Sequence, residues 1–285
     1  MNTEDTKKTR LISIPFSAGG LGHGNGANKA PEEIKKCLHN LFANENGQQI
    51  EFIHETITVD ESHVQNSHDA ITSYTSKLLV LKKNNPSSPL LFIGGDHSIT
   101  HPVLKGLAQK NEELQNKNFS LVVFDAHPDL MDDFRPPTQE DYLRVLIEEE
   151  IVNPKNIILL GVRNWDPQEI NYLKEKNITC ITAKEIFEKG ILQTMREVVN
   201  LIKEPVYLSL DIDVVDPTQA IGTGYIEHGG LSSRELIYAL QQLKKHTNIF
   251  AADLVEVNPN KDINSMTSSL AAKCLVELST TRFFS

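Results

Sequence analysis

Cysteine and positive charge are both scarce in this chain of 285 residues. The three cysteines, Cys37, Cys180 and Cys274, lie far apart with no CxxC spacing. This spacing favours neither a disulfide framework nor a thiolate metal site, and it fits a reducing cytoplasm. The 28 Lys and Arg residues are outnumbered by 38 Asp and Glu, so the formal net charge is -10 at pH 7. Because phosphate-binding surfaces are basic, we expect no nucleic-acid partner.

Long apolar runs are missing as well. No stretch approaches the roughly 20 apolar residues of a membrane span, and residues 1–10 are polar and charged rather than a signal core. We therefore expect a cytoplasmic protein with no membrane partner. With 39% hydrophobic residues the chain can still bury a large core. At this length we predict a single domain that covers residues 1–285.

Short apolar runs alternate with longer amphipathic segments, a pattern typical of a parallel sheet with crossover helices. Strands are predicted at residues 11–16, 51–59, 90–93, 121–124, 157–161, 179–181, 206–210 and 249–255. Helices are predicted to begin near Pro31, Pro167, Ala183 and Ser232, the last with Glu235 as a capping box. The predicted fold class is α/β, a three-layer α/β/α sandwich with a mainly parallel sheet.

Polar residues cluster where four of the predicted strands end. The segments are GGDHS at 94–98, DAHPD at 125–129, DID at 211–213 and EVNP at 256–259. Open α/β sheets bind ligands outside the carboxyl ends of their strands. Residues two apart on a strand share a face, so Asp125, His127 and Asp129 can converge on one point if the extended geometry lasts through them. Asp211 and Asp213 can do the same. Buried acidic clusters are costly unless a cation occupies them, so a metal site is predicted.

GGDHS, DAHPD, SLDIDVVDP and EVNP, in this order, resemble the motifs of the ureohydrolase superfamily of arginases, agmatinases and related amidinohydrolases. The resemblance runs from the glycine-rich segment at 19–26 to Glu256 and covers most of the chain. It implies an arginase-like fold and a binuclear metal centre. The implied metal ligands are His97, Asp125, His127, Asp129, Asp211 and Asp213.

This ligand set makes chemical sense for two Mn²⁺ ions. Four carboxylates balance four positive charges, and oxygen and imidazole ligands without sulfur suit Mn²⁺. Two ions lower the pKa of water enough to supply hydroxide, which would attack the central carbon of a guanidinium. Glu256 matches a glutamate that accepts two hydrogen bonds from a guanidinium in the family, and it is the expected substrate-orienting residue. Glu256 and Asp129 are thus predicted to be catalytic.

Each motif also has a purely structural explanation. The DAHPD residues could form a helix-cap and turn network, and a glycine pair before a short polar residue is common in turns. Glu256 could be a solvated strand end or part of a salt bridge.

The chain departs from the family pattern just after DAHPD. Many arginases and agmatinases carry a histidine there that passes a proton to the leaving amine, whereas residues 130–142 contain none. The same stretch lacks the Ser-Gly-Asn signature of arginases, so arginase proper is not favoured. Since a leaving amine needs a proton, His228 is the predicted replacement, with an exposed loop histidine as the alternative explanation. Glu227, Asp132 and Asp133 are weaker candidates.

The distal half of the substrate depends on other charged residues. Arg163 could meet a substrate carboxylate, although a structural ion pair is the preferred explanation, and Arg135 is a second cation to consider. The acid-rich stretch from Asp129 to Asp141 could attract a second cationic group, as in agmatine, or it could be a solvated face.

These observations predict a hydrolase that cleaves a guanidino compound to urea and an amine. Agmatine is the favoured substrate, because residues 94–104 and 222–235 look closer to agmatinases than to arginases. Hydrolysis of formimidoylglutamate or a guanidino acid is the second expectation, and a non-catalytic metal-binding scaffold or regulator is the third. The expected partner is a small guanidino or amidino substrate, and the resemblance implies a homo-oligomer, a trimer or a hexamer.

Overall fold

The computed structural model describes residues 8–82, 89–203 and 205–279. In these ranges one sheet contains eight strands. They are β1 Thr9–Ser13, β2 Phe52–Thr56, β3 Leu90–Ile93, β4 Ser120–Phe124, β5 Ile157–Leu160, β6 Thr179–Ile181, β7 Val206–Asp211 and β8 Ile249–Val255. The strand order is β2-β1-β3-β8-β7-β4-β5-β6, and every neighbouring pair is parallel. Every predicted strand overlaps an observed one, and β3, β6 and β8 have the predicted bounds.

Helices cover both faces of the sheet. They are α1 Ala30–Leu38, α2 Val64–Lys82, α3 Thr100–Ala108, α4 Glu112–Gln115, α5 Tyr142–Glu148, α6 Pro167–Lys176, α7 Ala183–Lys189, α8 Ile191–Leu201, α9 Ser233–His246 and α10 Met266–Ser279. One hydrophobic core joins the sheet to α1, α7, α8, α9 and α10, and the other joins it to α2, α3, α4, α5 and α6. The predicted three-layer α/β/α sandwich is confirmed. No helix of the described residues is long and apolar enough to cross a membrane.

The central strands are apolar because both of their faces are covered. β3, β8, β7, β4 and β5 are neighbours in the sheet and are buried along their whole length. In β4, Val122 and Phe124 point into one core, and Leu121 and Val123 point into the other. Continuous apolar runs of this kind are expected for parallel strands between two helical layers.

The four strands that precede the polar motifs are contiguous, in the order β3-β8-β7-β4. Their carboxyl ends lie within one residue of each other in register, because Ile93 pairs with Leu254, Leu254 with Leu210, and Leu210 with Phe124. The motifs therefore leave the same edge of the sheet side by side, although they are distant in sequence.

Candidate active site

The six predicted ligands lie together just beyond this edge, but they converge through turns rather than along extended strands. Asp125 directly follows β4, and Asp211 is the last residue of β7. The chain then turns, since Asp129 has a left-handed φ of 52° and Asp213 lies in a short 3₁₀ helix. The extended geometry on which the predicted convergence depends therefore does not last through these residues, although the side chains do meet.

In three of these carboxylates, one oxygen accepts a hydrogen bond from a backbone N–H. The backbone N–H of His127 donates to Asp125 Oδ1 and that of Asp213 to Asp211 Oδ1, each at 2.7 Å. The Ala126 N–H donates to Asp213 Oδ1 at 3.0 Å. These bonds fix each carboxylate and direct its second oxygen toward the histidine rings.

The first donor group surrounds His97, at the start of a 3₁₀ turn after β3. Its Nδ1 lies 3.1, 3.2 and 3.3 Å from Oδ2 of Asp125, Asp129 and Asp211. The His97 and Asp125 side chains are only 1% exposed. Among the described residues, neither His97 Nδ1 nor Asp125 Oδ2 has a hydrogen-bond partner. Buried polar atoms are rarely left unsatisfied, so these donor atoms fit a cation between them.

The second donor group shares Asp125. His127 Nδ1 lies 3.0 Å from Asp213 Oδ2 and 3.5 Å from Asp125 Oδ1. The donor atoms lie within 4.8 Å of one another in two sets of three residues. One set is His97, Asp125 and Asp129, and the other is Asp125, His127 and Asp213. Two donor groups with a common carboxylate suit two neighbouring ions.

Burial and mutual repulsion strongly perturb this cluster. Burial raises the pKa of Asp129 and of Asp211 well above the usual range, and the charges of Asp125 and Asp213 contribute. Burial alone would lower the pKa of His127, but Asp213 and Asp125 raise it far above its ordinary value. Protons therefore compensate the carboxylates when no other cation does, and binding of metal ions must displace them.

Glu256, the first residue after β8, lies against the His97 turn. It has a left-handed φ of 63°, and its Oε1 accepts a hydrogen bond of 2.7 Å from the His97 N–H. Its own N–H donates to the Gly95 carbonyl at 2.8 Å. Gly95 has no room for a side chain, because a Cβ there would lie 1.9 Å from the Phe16 carbonyl oxygen. Glu256 is buried and lines the cavity, so it is not a solvated strand end.

A cavity of about 200 Å³ opens over the ligands and Glu256. Its distal wall consists of Met131, Gln139, Glu140, Asn164, Trp165, Asp166, Glu169 and Tyr225. The Tyr225 hydroxyl donates to Glu140 Oε1 at 2.8 Å, and its ring packs against those of His127 and His23. None of the lining residues that the structure describes is a lysine or arginine. The wall is thus aromatic and acidic.

The two arginines considered for substrate binding are engaged elsewhere. The Arg163 guanidinium donates to five backbone carbonyl groups at 2.6 to 3.3 Å, those of Gly161, Asp213, Val214, Glu227 and His228. Arg163 therefore ties the 222–230 loop to the ends of β5 and β7, which is a structural role, although its partners are carbonyls rather than the ion pair preferred from the sequence. Arg135 forms ion pairs with Glu149 and Asp133.

His228 is exposed and is not one of the cavity-lining residues. Its placement gives no support to a role in proton transfer, which stays a prediction. Among the weaker candidates, Asp132 pairs with Arg144 and Asp133 with Arg135. Glu227 lies closer to the ligands, with its Oε1 3.5 Å from His127 Nε2.

Three residues around His97 were missed from the sequence. Tyr142 stacks on the His97 ring at 4.2 Å, and Ser209 Oγ lies 2.8 Å from His97 Nε2. Asp253 accepts a hydrogen bond from Ser209. The available signals were an aspartate within the apolar run of β8, and a serine two residues before Asp211. Tyr142 had no comparable signal.

Comparison with known proteins agrees with this geometry. A sequence model described as the Arginase family matches residues 7–280. The formimidoylglutamase of Bacillus subtilis (strain 168) is 30% identical over 285 residues, which cover 96% of this chain and 86% of that protein. The agmatinase of the same strain is 31% identical over 216 residues, 75% of this chain and 69% of its own. The crystal structure of the Bacillus subtilis formimidoylglutamase matches with a TM-score of 0.85 at 28% identity, over 95% of this chain and 86% of that one. The resemblance inferred from the motifs is thereby confirmed, and the chain belongs to the arginase family.

Proposed function

We propose that the protein hydrolyses a C–N bond of a linear amidine or guanidino compound, with two Mn²⁺ ions held by the six ligands. The observation that carries this proposal is the pair of donor groups that share Asp125. In the first group, His97 Nδ1 and Asp125 Oδ2 are buried and have no hydrogen-bond partner within the described part of the chain. The donor set is oxygen and imidazole nitrogen without sulfur, which suits Mn²⁺. When bound, two such ions supply hydroxide near neutral pH and stabilise developing negative charge.

Glu256 is proposed to orient the substrate. Its carboxylate is fixed by the His97 backbone N–H at 2.7 Å, so it lies directly beside the first donor group. A planar amidinium can donate two hydrogen bonds to a carboxylate. This contact places the central carbon of the substrate over the ligands, where C–N cleavage occurs.

The distal wall supports a substrate with a second positive charge, and agmatine is the proposed one. Glu140 is hydrogen-bonded to Tyr225, and Trp165 lines the same wall. A wall that combines a carboxylate with aromatic rings suits an ammonium group on an alkyl chain. Substrates with a distal carboxylate need a cation, and Arg163 is already saturated by carbonyl groups.

Formimidoylglutamate is the second candidate. The observation that favours it is the alignment with a formimidoylglutamase over 96% of this chain, against 75% for the agmatinase. The two reactions are distinguished by their products, because this substrate releases formamide whereas a guanidino compound releases urea.

The test is a product screen on the purified protein after Mn²⁺ loading and metal analysis. We expect two ions per chain and urea release from agmatine. In Glu140→Gln the KM for agmatine should rise about tenfold with metal content unchanged, since loss of one charged contact costs about 1.4 kcal/mol. Glu150→Gln, at an exposed glutamate paired with Lys117, is the matched control and should behave as wild type.

Formamide release from formimidoylglutamate, with agmatine untouched, would replace the agmatine assignment. Two bound ions without turnover of agmatine, arginine, guanidinobutyrate or formimidoylglutamate would identify a non-catalytic metal-binding protein. Absence of bound metal would refute the proposed centre itself.

A further inference from the structure

A buried hydrogen-bond network lies behind His97, on the side of the ring away from the three carboxylates. At its centre is Asp253, on β8, which accepts from the Ser209 hydroxyl at 2.6 Å through Oδ1. Its Oδ2 accepts from the Tyr207 hydroxyl at 2.6 Å and from Thr100 Oγ1 at 2.9 Å. All four of these residues are buried to 1% exposure or less. The network is thus shielded from water, and its bonds have fixed directions.

The direction of each bond follows from counting hydrogens. A carboxylate can only accept, so the single hydroxyl hydrogen of Ser209 is used on Asp253. Ser209 Oγ then has only lone pairs for His97 Nε2, which lies 2.8 Å away. The Nε2 atom must therefore carry the hydrogen. Since a neutral imidazole has one N–H, Nδ1 keeps its lone pair.

The Nδ1 atom freed in this way is the one that lies within 3.3 Å of Asp125, Asp129 and Asp211. We infer that Ser209 and Asp253 are positioning residues, which hold His97 in the orientation and tautomer that bind a metal ion. This inference rests on the metal centre of the proposed function. Partners of this kind raise the metal affinity of a histidine ligand, because they remove the cost of choosing a tautomer and a ring orientation.

The second ligand histidine has a different environment. His127 Nε2 lies 3.5 Å from Glu227 Oε1, and its side chain is 20% exposed. Its ion pairs are with Asp125, Asp213 and Glu227, and not with the network. Loss of the network should therefore weaken the binding of one ion and spare the other.

The experiment measures the affinity of both ions by competition with a chelator. Ser209→Ala and Asp253→Asn should each lower the affinity for one of two Mn²⁺ ions by about 10- to 100-fold and leave the other near wild type. In Asp253→Asn the amide can donate to Ser209, which turns the serine hydrogen toward His97 and favours the wrong tautomer. The control is Ser120→Ala, because Ser120 is also buried but bonds Lys203 at the opposite edge of the sheet. It should bind both ions as wild type does.

A second measurement needs no variant in the network. The protonation of the His97 ring can be measured by ¹H–¹⁵N correlation spectra of the Zn²⁺-loaded wild type. Comparison with His97→Asn assigns the His97 signals. We expect a hydrogen on Nε2 and a chemical shift of Nδ1 that is typical of a metal-bound nitrogen. A wild type that binds no metal would refute the proposed centre. Two results would overturn this inference alone, in a wild type that binds two ions. One is a His97 Nε2 without a hydrogen, and the other is full metal affinity in both network variants when they are folded.

Discussion

Asp125 is the residue on which both donor groups depend. Its Oδ2 lies 3.1 Å from His97 Nδ1, and its Oδ1 lies 3.5 Å from His127 Nδ1. Asp213 contacts only the second histidine in this way, at 3.0 Å. Asp125→Asn should therefore lose both ions and all activity, whereas Asp213→Asn should lose mainly one ion. Metal content after dialysis against metal-free buffer, measured by mass spectrometry, distinguishes these outcomes.

The matched control for this pair is Asp132→Asn, because Asp132 is an exposed neighbour in sequence that pairs with Arg144 and does not line the cavity. It should keep both ions. If Asp125→Asn also retained two ions after dialysis, the shared-ligand geometry would be incorrect.

Single residues also show where inference from sequence ends. The ligand types and their grouping were readable from DAHPD and DID, because carboxylates after apolar strands need a partner. The sequence indicated a structural role for Arg163 but not its five carbonyl partners, because these depend on the path of the 222–230 loop. His228 belongs to the same loop, and its exposure is equally a property of the loop path.

At the level of elements, strands were predictable and turns were not. β3 and β8 have the predicted bounds because largely apolar runs are typical of strands buried on both faces. The turns after β4 and β8 contain Asp129 and Glu256 in left-handed backbone conformations. Residues other than glycine seldom adopt positive φ, and local sequence patterns do not reveal where they do. The geometry of the ligands therefore differs from simple alternation.

The capping box of α9 is an element feature that was evident from the sequence. Ser232 Oγ accepts from the Glu235 N–H at 3.2 Å, and Glu235 Oε2 accepts from the Ser232 N–H at 2.8 Å. Ser232→Ala removes the side-chain acceptor and should lower the free energy of unfolding by about 1 kcal/mol. Urea denaturation at neutral pH measures this change.

Ser233→Ala is the control for this cap, because the bond that Ser233 makes to Gln219 comes from its backbone N–H and survives the substitution. It should change the free energy of unfolding by less than about 0.5 kcal/mol. Equal losses in both variants would show that the cap makes no specific contribution.

At the scale of the whole molecule, strand order is what assembles the site. β8 lies between β3 and β7, although its sequence comes last, and this order pairs Ser209 with Asp253 across neighbouring strands. Alternation of strands and helices predicts a parallel sheet but does not specify which strands are neighbours. The network behind His97 was therefore beyond sequence reasoning, while the metal motifs were not.

The interface between α2, α3 and Phe16, which follows β1, contains a buried histidine that the site does not use. His68 is 3% exposed, and neither of its ring nitrogens has a hydrogen-bond partner among the described residues. It packs edge-on against Phe16 and lies near His101. Burial, with the nearby charges of His101 and Lys105, lowers the pKa of His68 to about 4, and Asp69 opposes this effect only in part.

His68 makes the stability of the protein sensitive to acid. Its pKa is about 4 when folded and near the ordinary 6.5 when unfolded, so between these values the unfolded chain binds a proton that the folded chain does not. The free energy of unfolding should therefore fall as pH drops from 6.5 to 4, by at most about 3 kcal/mol from this residue, and should be unaffected by it above pH 7.

The variant that tests this effect is His68→Phe, which has no titrating side chain at this position. Its free energy of unfolding should fall less than that of wild type between pH 6.5 and pH 4. Urea denaturation at matched salt concentration measures both. Parallel curves for wild type and His68→Phe would mean that the pKa of His68 is the same in the folded and unfolded protein, because only a difference between these two pKa values makes its contribution depend on pH.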